Sequence, residues 1–212
     1  MFPVSMTFLS GDWLWVEGWI FNVWFIAVSF SSILYLYRKD PALLEERFRK
    51  PGTVNQKRWD VYLLYAFIML FMAWFVTMPL DAKRYALTVN FPLWLKVLGG
   101  LGLVPSFFFL YRAYTDNTFV SPLVRIQTER KQWVVSAGVY GIVRHPMYLG
   151  GILLFMCAPL LLGSRYGVMG GTLLTILVVV RLIAEESMLV RELEGYEEYK
   201  TKVKHRLIPF VW

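Results

Sequence analysis

Four apolar runs, each about as long as a bilayer is thick, constrain this chain more than any other feature: Trp13 to Tyr37, Val61 to Leu80, Phe91 to Tyr111, and Tyr166 to about Val190. A hydrocarbon core of about 30 Å is crossed by roughly 20 helical residues, and a helix satisfies every backbone amide inside lipid. The last run carries charges near its end. A fifth run, Met147 to Gly163, is shorter and contains Pro159, which predicts a broken or tilted span. The expected fold class is therefore all-α, a polytopic membrane helical bundle of about five transmembrane helices whose partner is the lipid bilayer. A hydrophobic content of 57% and a mean hydropathy of +0.49 agree, both being high for a soluble domain.

The positions of lysine and arginine orient the bundle. The segment between the first two runs holds Arg38, Lys39, Arg47, Arg49, Lys50, Lys57 and Arg58, whereas the next loop, Asp81 to Asn90, holds Lys83 and Arg84. Alternating onward, the basic stretches from Arg112 to Arg144 and after Arg191 fall on the same side as the first loop. This predicts an outside N-terminus and a cytosolic C-terminus. The same distribution explains the net charge of +7 without nucleic acid, since the basic residues flank apolar runs and form no stripe interleaved with aromatics. No basic residue precedes Arg38, so the charged region of a cleavable signal is missing and the first run is expected to be retained. Cys157 lies alone in an apolar run, which reads as packing and offers neither a disulfide nor a metal cluster; no metal is expected.

Close glycines at 99, 100 and 102, at 150 and 151, and at 167, 170 and 171 predict close helix approach. Trp13, Trp15, Trp94, Tyr111 and Trp212 stand near predicted span ends, as an interfacial belt requires. Asp40-Pro41 reads as an N-cap followed by proline at the first helical position, opening a short surface helix through Leu43, Leu44 and Phe48 with solvated charges.

The residues richest in chemistry run from Asn117 to Gly151. Val134-Val135-Ser136-Ala137-Gly138-Val139-Tyr140 is followed after three residues by Arg144-His145-Pro146-Met147-Tyr148-Leu149-Gly150, then by Arg181-x-x-x-Glu185-Glu186 and Gly195-Tyr196-x-x-Tyr199. Taken alone, Arg-His-Pro before an apolar run is also what a basic flank with a helix-starting proline looks like. Arg181 and Glu185, four apart and on one helical face, read either as a self-neutralising ion pair or as groups lining a cavity. Glu186 points about 100° away around the helix and should have a different partner. Beyond it, alternating glutamates and lysines read as a solvated amphipathic tail, and the apolar Leu207 to Trp212 segment is expected to fold back on the bilayer surface, where it could cover a cofactor.

In this order and spacing the elements resemble the isoprenylcysteine carboxyl methyltransferase family, membrane enzymes that use S-adenosylmethionine and are related to phospholipid N-methyltransferases. The resemblance covers roughly Asn117 to Trp212. It implies one integral membrane methyltransferase domain over residues 1–212, with N-terminal spans to 112 and a cofactor-binding and catalytic region from 113, and a cytosolic pocket formed by loops and the C-terminal tail. It implies S-adenosyl-L-methionine held by Gln127, by Gln132, Trp133, Val134 and Val135, by Tyr140, by His145, Pro146, Met147 and Tyr148, and by Glu185, which receives the ammonium end. It further implies catalytic roles for Arg181, Arg144 and Glu185, with Arg181 and Arg144 binding a lipophilic substrate that enters from the membrane.

The residue types suit that cofactor, which presents an adenine, a ribose, a zwitterionic end and a sulfonium and so requires apolar or aromatic walls, hydrogen-bonding groups and a carboxylate. A carboxylate acceptor, as on a prenylcysteine, is already ionised and needs mainly orientation by paired hydrogen bonds from arginine. An amine or thiol acceptor, on a phospholipid or small molecule, needs a base such as His145 or a glutamate. An NADPH-dependent sterol-type reductase and a non-enzymatic scaffold are the competing classes. The reductase requires an arginine-rich 2′-phosphate site, and the Arg-His-Pro-x-Tyr pattern stands against it.

Overall fold

The computed structural model describes residues 2–209 and 211–212, except for the side chains of residues 2–4. Among these the secondary structure is helical throughout. A nine-residue helix, α1 (Phe2–Ser10), precedes α2 (Val16–Lys39), α3 (Pro41–Arg47), α4 (Arg58–Pro79), α5 (Leu93–Asp116), α6 (Pro146–Leu162), α7 (Arg165–Glu192) and α8 (Tyr196–Lys202). Helices α2, α4 (with the wide π-turn Leu80–Arg84 that extends it), α5 and α7 are long and apolar enough to cross a membrane. The shorter α6, at 17 residues, is about 25 Å long at 1.5 Å per residue. It falls just short of a full hydrocarbon core.

Pro159 does not break α6. It lies in the last turn and removes only the donor that the Phe155 carbonyl would have met four residues back. Gly171 of α7 packs its bare backbone against that carbonyl. The predicted glycine contacts recur between α5 and α6, the most extensively packed pair: Gly99 faces the Leu161 and Cys157 backbone, Gly102 lies under the Cys157 Sγ, and Gly150 faces Leu110. The Ser106 hydroxyl seals the same crossing by donating to the Gly150 carbonyl at 2.8 Å. Trp74, Phe155, Leu174, Val178 and Leu182 continue the core between α4, α6 and α7.

Chain direction alternates, so the C-terminal ends of α2, α5 and α7 gather with the N-terminal ends of α4 and α6. This is the basic end of the bundle. There Asp40 caps α3 as expected, accepting from the Leu43 amide at 3.0 Å. The α3 charges are not all solvated, however, because Glu46 is buried and bonded to Arg125 across the chain. The segment after α8 does not simply lie on a surface. It pairs its backbone with the start of α6, Arg144 N donating to His205 O and His145 N to Arg206 O, both at 3.0 Å. Leu207 enters the core while Ile208 and Val211 stay exposed. Phe210, part of the same predicted apolar tail, lies outside the described residues.

Candidate active site

At the basic end a cavity of about 760 Å³, counting its open mouth, lies between the 117–135 loop, the 3₁₀ turn Gly138–Gly141, the first turn of α6, the end of α7 and α8. Of the residues named from sequence, Gln132, Trp133, Val134, Val135, Tyr140, Arg144, His145, Met147, Tyr148 and Glu185 all line it. Gln127 and Pro146 do not. Gln127 is buried behind the wall, where its amide donates to the Phe119 carbonyl at 2.8 Å and accepts from Arg130 at 2.8 Å. Pro146 starts α6, where its missing N–H costs nothing.

The wall is strongly aromatic. Phe119 and Trp133 meet edge to face at 4.6 Å, as do Tyr196 and Tyr199 at 5.6 Å, while the His145 and Tyr148 rings are tilted to each other at 5.8 Å. The Tyr199 hydroxyl donates to the Tyr140 carbonyl at 2.7 Å, joining α8 to the 3₁₀ turn. Burial holds the phenols of Tyr140, Tyr196 and Tyr199 above their ordinary value, so near neutral pH they are uncharged hydroxyls and cannot act as bases. Trp133 is exposed and Val134 and Val135 half-buried in a stretch without regular secondary structure, and none of their amides takes part in a backbone–backbone hydrogen bond among the described residues.

Three buried arginines border this region, each matched by a carboxylate from a distant segment. Arg125 bonds Glu46 at 2.8 and 3.0 Å and Glu129 at 2.5 Å. Burial pushes the Glu46 carboxyl upward, but the Arg125 and Ser121 hydrogen bonds outweigh it and hold it below its ordinary value. Arg144 bonds Glu186 at 2.6 Å and the Val203 carbonyl at 2.6 Å, and Glu186 also takes Arg206 at 2.5 Å. Arg181 bonds Asp60 at 2.7 and 3.3 Å and the Pro122 carbonyl at 2.5 Å, with Asp60 fully buried.

Two of these arginines, Arg181 and Arg144, were named from the sequence, and each is held by an acid other than Glu185. Arg181 does not line the cavity and does not pair with Glu185; its guanidinium is taken up by Asp60, which sequence reasoning passed over. Arg144 reaches the wall but spends its charge on Glu186 and its free nitrogen on the tail. An acid directly before an apolar run was the available signal for Asp60, since an acid drawn into the start of a span demands a partner.

Glu185 differs from every other acid here. It is the acidic residue on the cavity wall, accepts a hydrogen bond from the Tyr148 hydroxyl, and makes no ion pair among the described residues. A half-buried carboxylate beside aromatic walls and unpaired backbone amides is a receiver for a cationic, hydrogen-bonding, partly aromatic ligand. That donor set fits the amino-acid end, sulfonium and purine of S-adenosylmethionine.

Comparison with known proteins adds one positive finding. No curated protein matches the chain. Residues 96–195, from early α5 to the turn before α8, match the family model for phospholipid methyltransferase, so the part of the chain that carries Glu185 and most of the cavity wall is similar to membrane methyltransferases.

Proposed function

We propose that this protein is a membrane methyltransferase that uses S-adenosylmethionine and modifies a lipophilic acceptor drawn from the bilayer. The observation that carries the reading is Glu185, a carboxylate that no lysine or arginine reaches within ion-pair distance, on an aromatic cavity wall inside the stretch matched by the methyltransferase family. When bound, the cofactor supplies an electrophilic methyl on a sulfonium. Glu185 receives its ammonium end. Tyr140, Tyr148 and Met147 wall the adenosyl group, the Trp133 to Val135 strip offers amides to the purine edge, and His145 stands beside them. The basic end faces the cytosol by the positive-inside rule, where a soluble cofactor meets a membrane-borne acceptor.

The cavity favours an amine on a phospholipid headgroup as the acceptor. Each arginine that could orient a carboxylate is already neutralised by a buried acid, so an anionic acceptor meets no unpaired cation. An ammonium acceptor must lose a proton before it attacks, and His145, with Glu186 3.7 Å behind it, is placed to take that proton. The alternative is a prenylcysteine-like carboxylate, favoured by the Arg144 to Gly150 motif; it requires Arg181 to leave Asp60. In either case the gain comes mainly from holding acceptor oxygen or nitrogen in line with the methyl and away from bulk water.

Calorimetry on the detergent-solubilised full chain tests the first step. S-adenosylmethionine should bind, Glu185→Ala should weaken binding at least about tenfold, as expected for a lost charge-assisted hydrogen bond, and NADPH should not compete. A folded protein that binds no S-adenosylmethionine sinks the proposal. A methyl-transfer screen with phosphatidylethanolamine and a prenylcysteine then separates the two acceptors.

A further inference from the structure

One residue along α3 from Glu46, Arg47 turns to a different space. A groove of about 680 Å³, counting its open mouth, runs between α2, α3 and the end of α5. Its walls are Val28, Ile33, Leu36 and Phe48, with Tyr114 at its inner side. Arg47 is the charged residue of this lining. Its guanidinium stacks over the Tyr114 ring at 4.3 Å, and its buried Nη1 has no hydrogen-bond partner among the described residues. Ser32, on the same lining and 7% exposed, also has a buried hydroxyl without a partner. The neighbouring Ser31 satisfies its own hydroxyl on the Ala27 carbonyl at 2.6 Å, so the vacancy at Ser32 is not a general property of serines in this helix.

Two unpaired donors thus border one groove, and a small turn of each side chain presents them to an acceptor bound there. We propose that this groove binds an anionic phospholipid, with its phosphate on Arg47 and Ser32 and an acyl chain along α2. A guanidinium with no carboxylate in the lining selects a negative headgroup, and the lining offers no acid to a choline or ethanolamine. The mouth selects a lipid over a soluble anion, since Ile33 and Phe48 stand 50% and 75% exposed on either side of it. Arg38 and Lys39, in the last turn of α2, add positive charge at the same end of the helix. This site shares no lining residue with the cavity around Glu185 and does not depend on the methyltransferase reading.

The test measures binding of fluorescent phosphatidylglycerol and phosphatidylcholine to the full chain in neutral detergent, with native mass spectrometry counting retained lipid. Wild type should hold phosphatidylglycerol about tenfold more tightly, the scale of a charge-assisted hydrogen bond. Arg47→Gln should erase most of that preference. Ser32→Leu, which fills the groove and keeps the arginine, should weaken phosphatidylglycerol by a similar factor, and it carries the reading alone if Arg47→Gln does not fold. Equal affinity of wild type for the two lipids, or a folded Ser32→Leu protein that binds phosphatidylglycerol like wild type, overturns the proposal. Displacement of the lipid by millimolar inorganic phosphate also overturns it, by making the groove a site for soluble anions.

Discussion

The two ends of the bundle treat buried charge in opposite ways. Away from the cavity, Asp81 is 1% exposed and is satisfied by neutral donors: the Ser164 hydroxyl at 2.6 Å, the Thr88 hydroxyl at 2.9 Å and the Tyr166 amide at 3.2 Å. These partners sit on the connections next to it, where the π-turn meets the start of α7. At the cavity end, each buried acid answers an arginine from a remote part of the chain, Asp60 to Arg181, Glu46 to Arg125, Glu186 to Arg144. A carboxylate held by hydroxyls and an amide pins two turns together. A carboxylate held by a guanidinium locks distant segments into one wall, and Glu185 stands out because that matching stops short of it.

The contrast is broken most severely at Asp60. Asp60→Ala leaves Arg181 as an uncompensated buried charge, which costs about 3 to 5 kcal/mol, read as a large fall in Tm or a loss of folded protein in detergent. The double variant Asp60→Ala with Arg181→Leu should recover much of that loss. No recovery means the two side chains do not act as a pair. Asp81→Asn is expected to be milder, about 1 to 2 kcal/mol, because it alters hydrogen bonds without stranding a charge; a cost equal to that of Asp60→Ala would abolish the distinction between the ends.

The smallest effect concerns pH. The Arg125 hydrogen bond draws the Glu129 carboxyl down from 4.5 to about 2. A carboxyl depressed in the folded state contributes stability that is present above its unfolded value and is lost as pH falls through the folded one. Amide exchange in the 125–130 segment should therefore match that of a Glu129→Gln variant only near pH 2, with the wild-type advantage full above about pH 4.5. Because Glu129 is half-exposed, solvent screens the pair and the advantage is small. An advantage that persists below pH 2 would contradict this assignment.

Much of this was legible along the chain. The apolar runs located α2, α4, α5 and α7 within a few residues, because lipid imposes one length and one backbone geometry. Asp40-Pro41 announced α3, since a cap is a local device. The strip from Gln132 to Val135 and the residues from Tyr140 to Tyr148 converge on one cavity because short connections hold them together. Ion-pair partners were not legible. Arg181 and Glu185 share a helical face, yet Arg181 turns to an acid 121 positions away and Glu185 turns to Tyr148. Helical periodicity says which residues neighbour each other on one helix and nothing about what the next helix brings. It did separate Glu185 from Glu186, which take different partners. The short α1 gave no signal comparable to a full span.

The clamp on Glu186 sets how much of the chain the site needs. In a chain that ends just after α7, Arg144 and Glu186 can still meet, but Arg206 is missing, and so are the carbonyls of Val203, His205 and Arg206 that tie the start of α6 to the tail. Without those residues the cavity is an open trough beside an otherwise complete set of spans. A nonsense change between Glu192 and Val203 would thus yield a membrane-resident chain with its spans in place and its site unfinished.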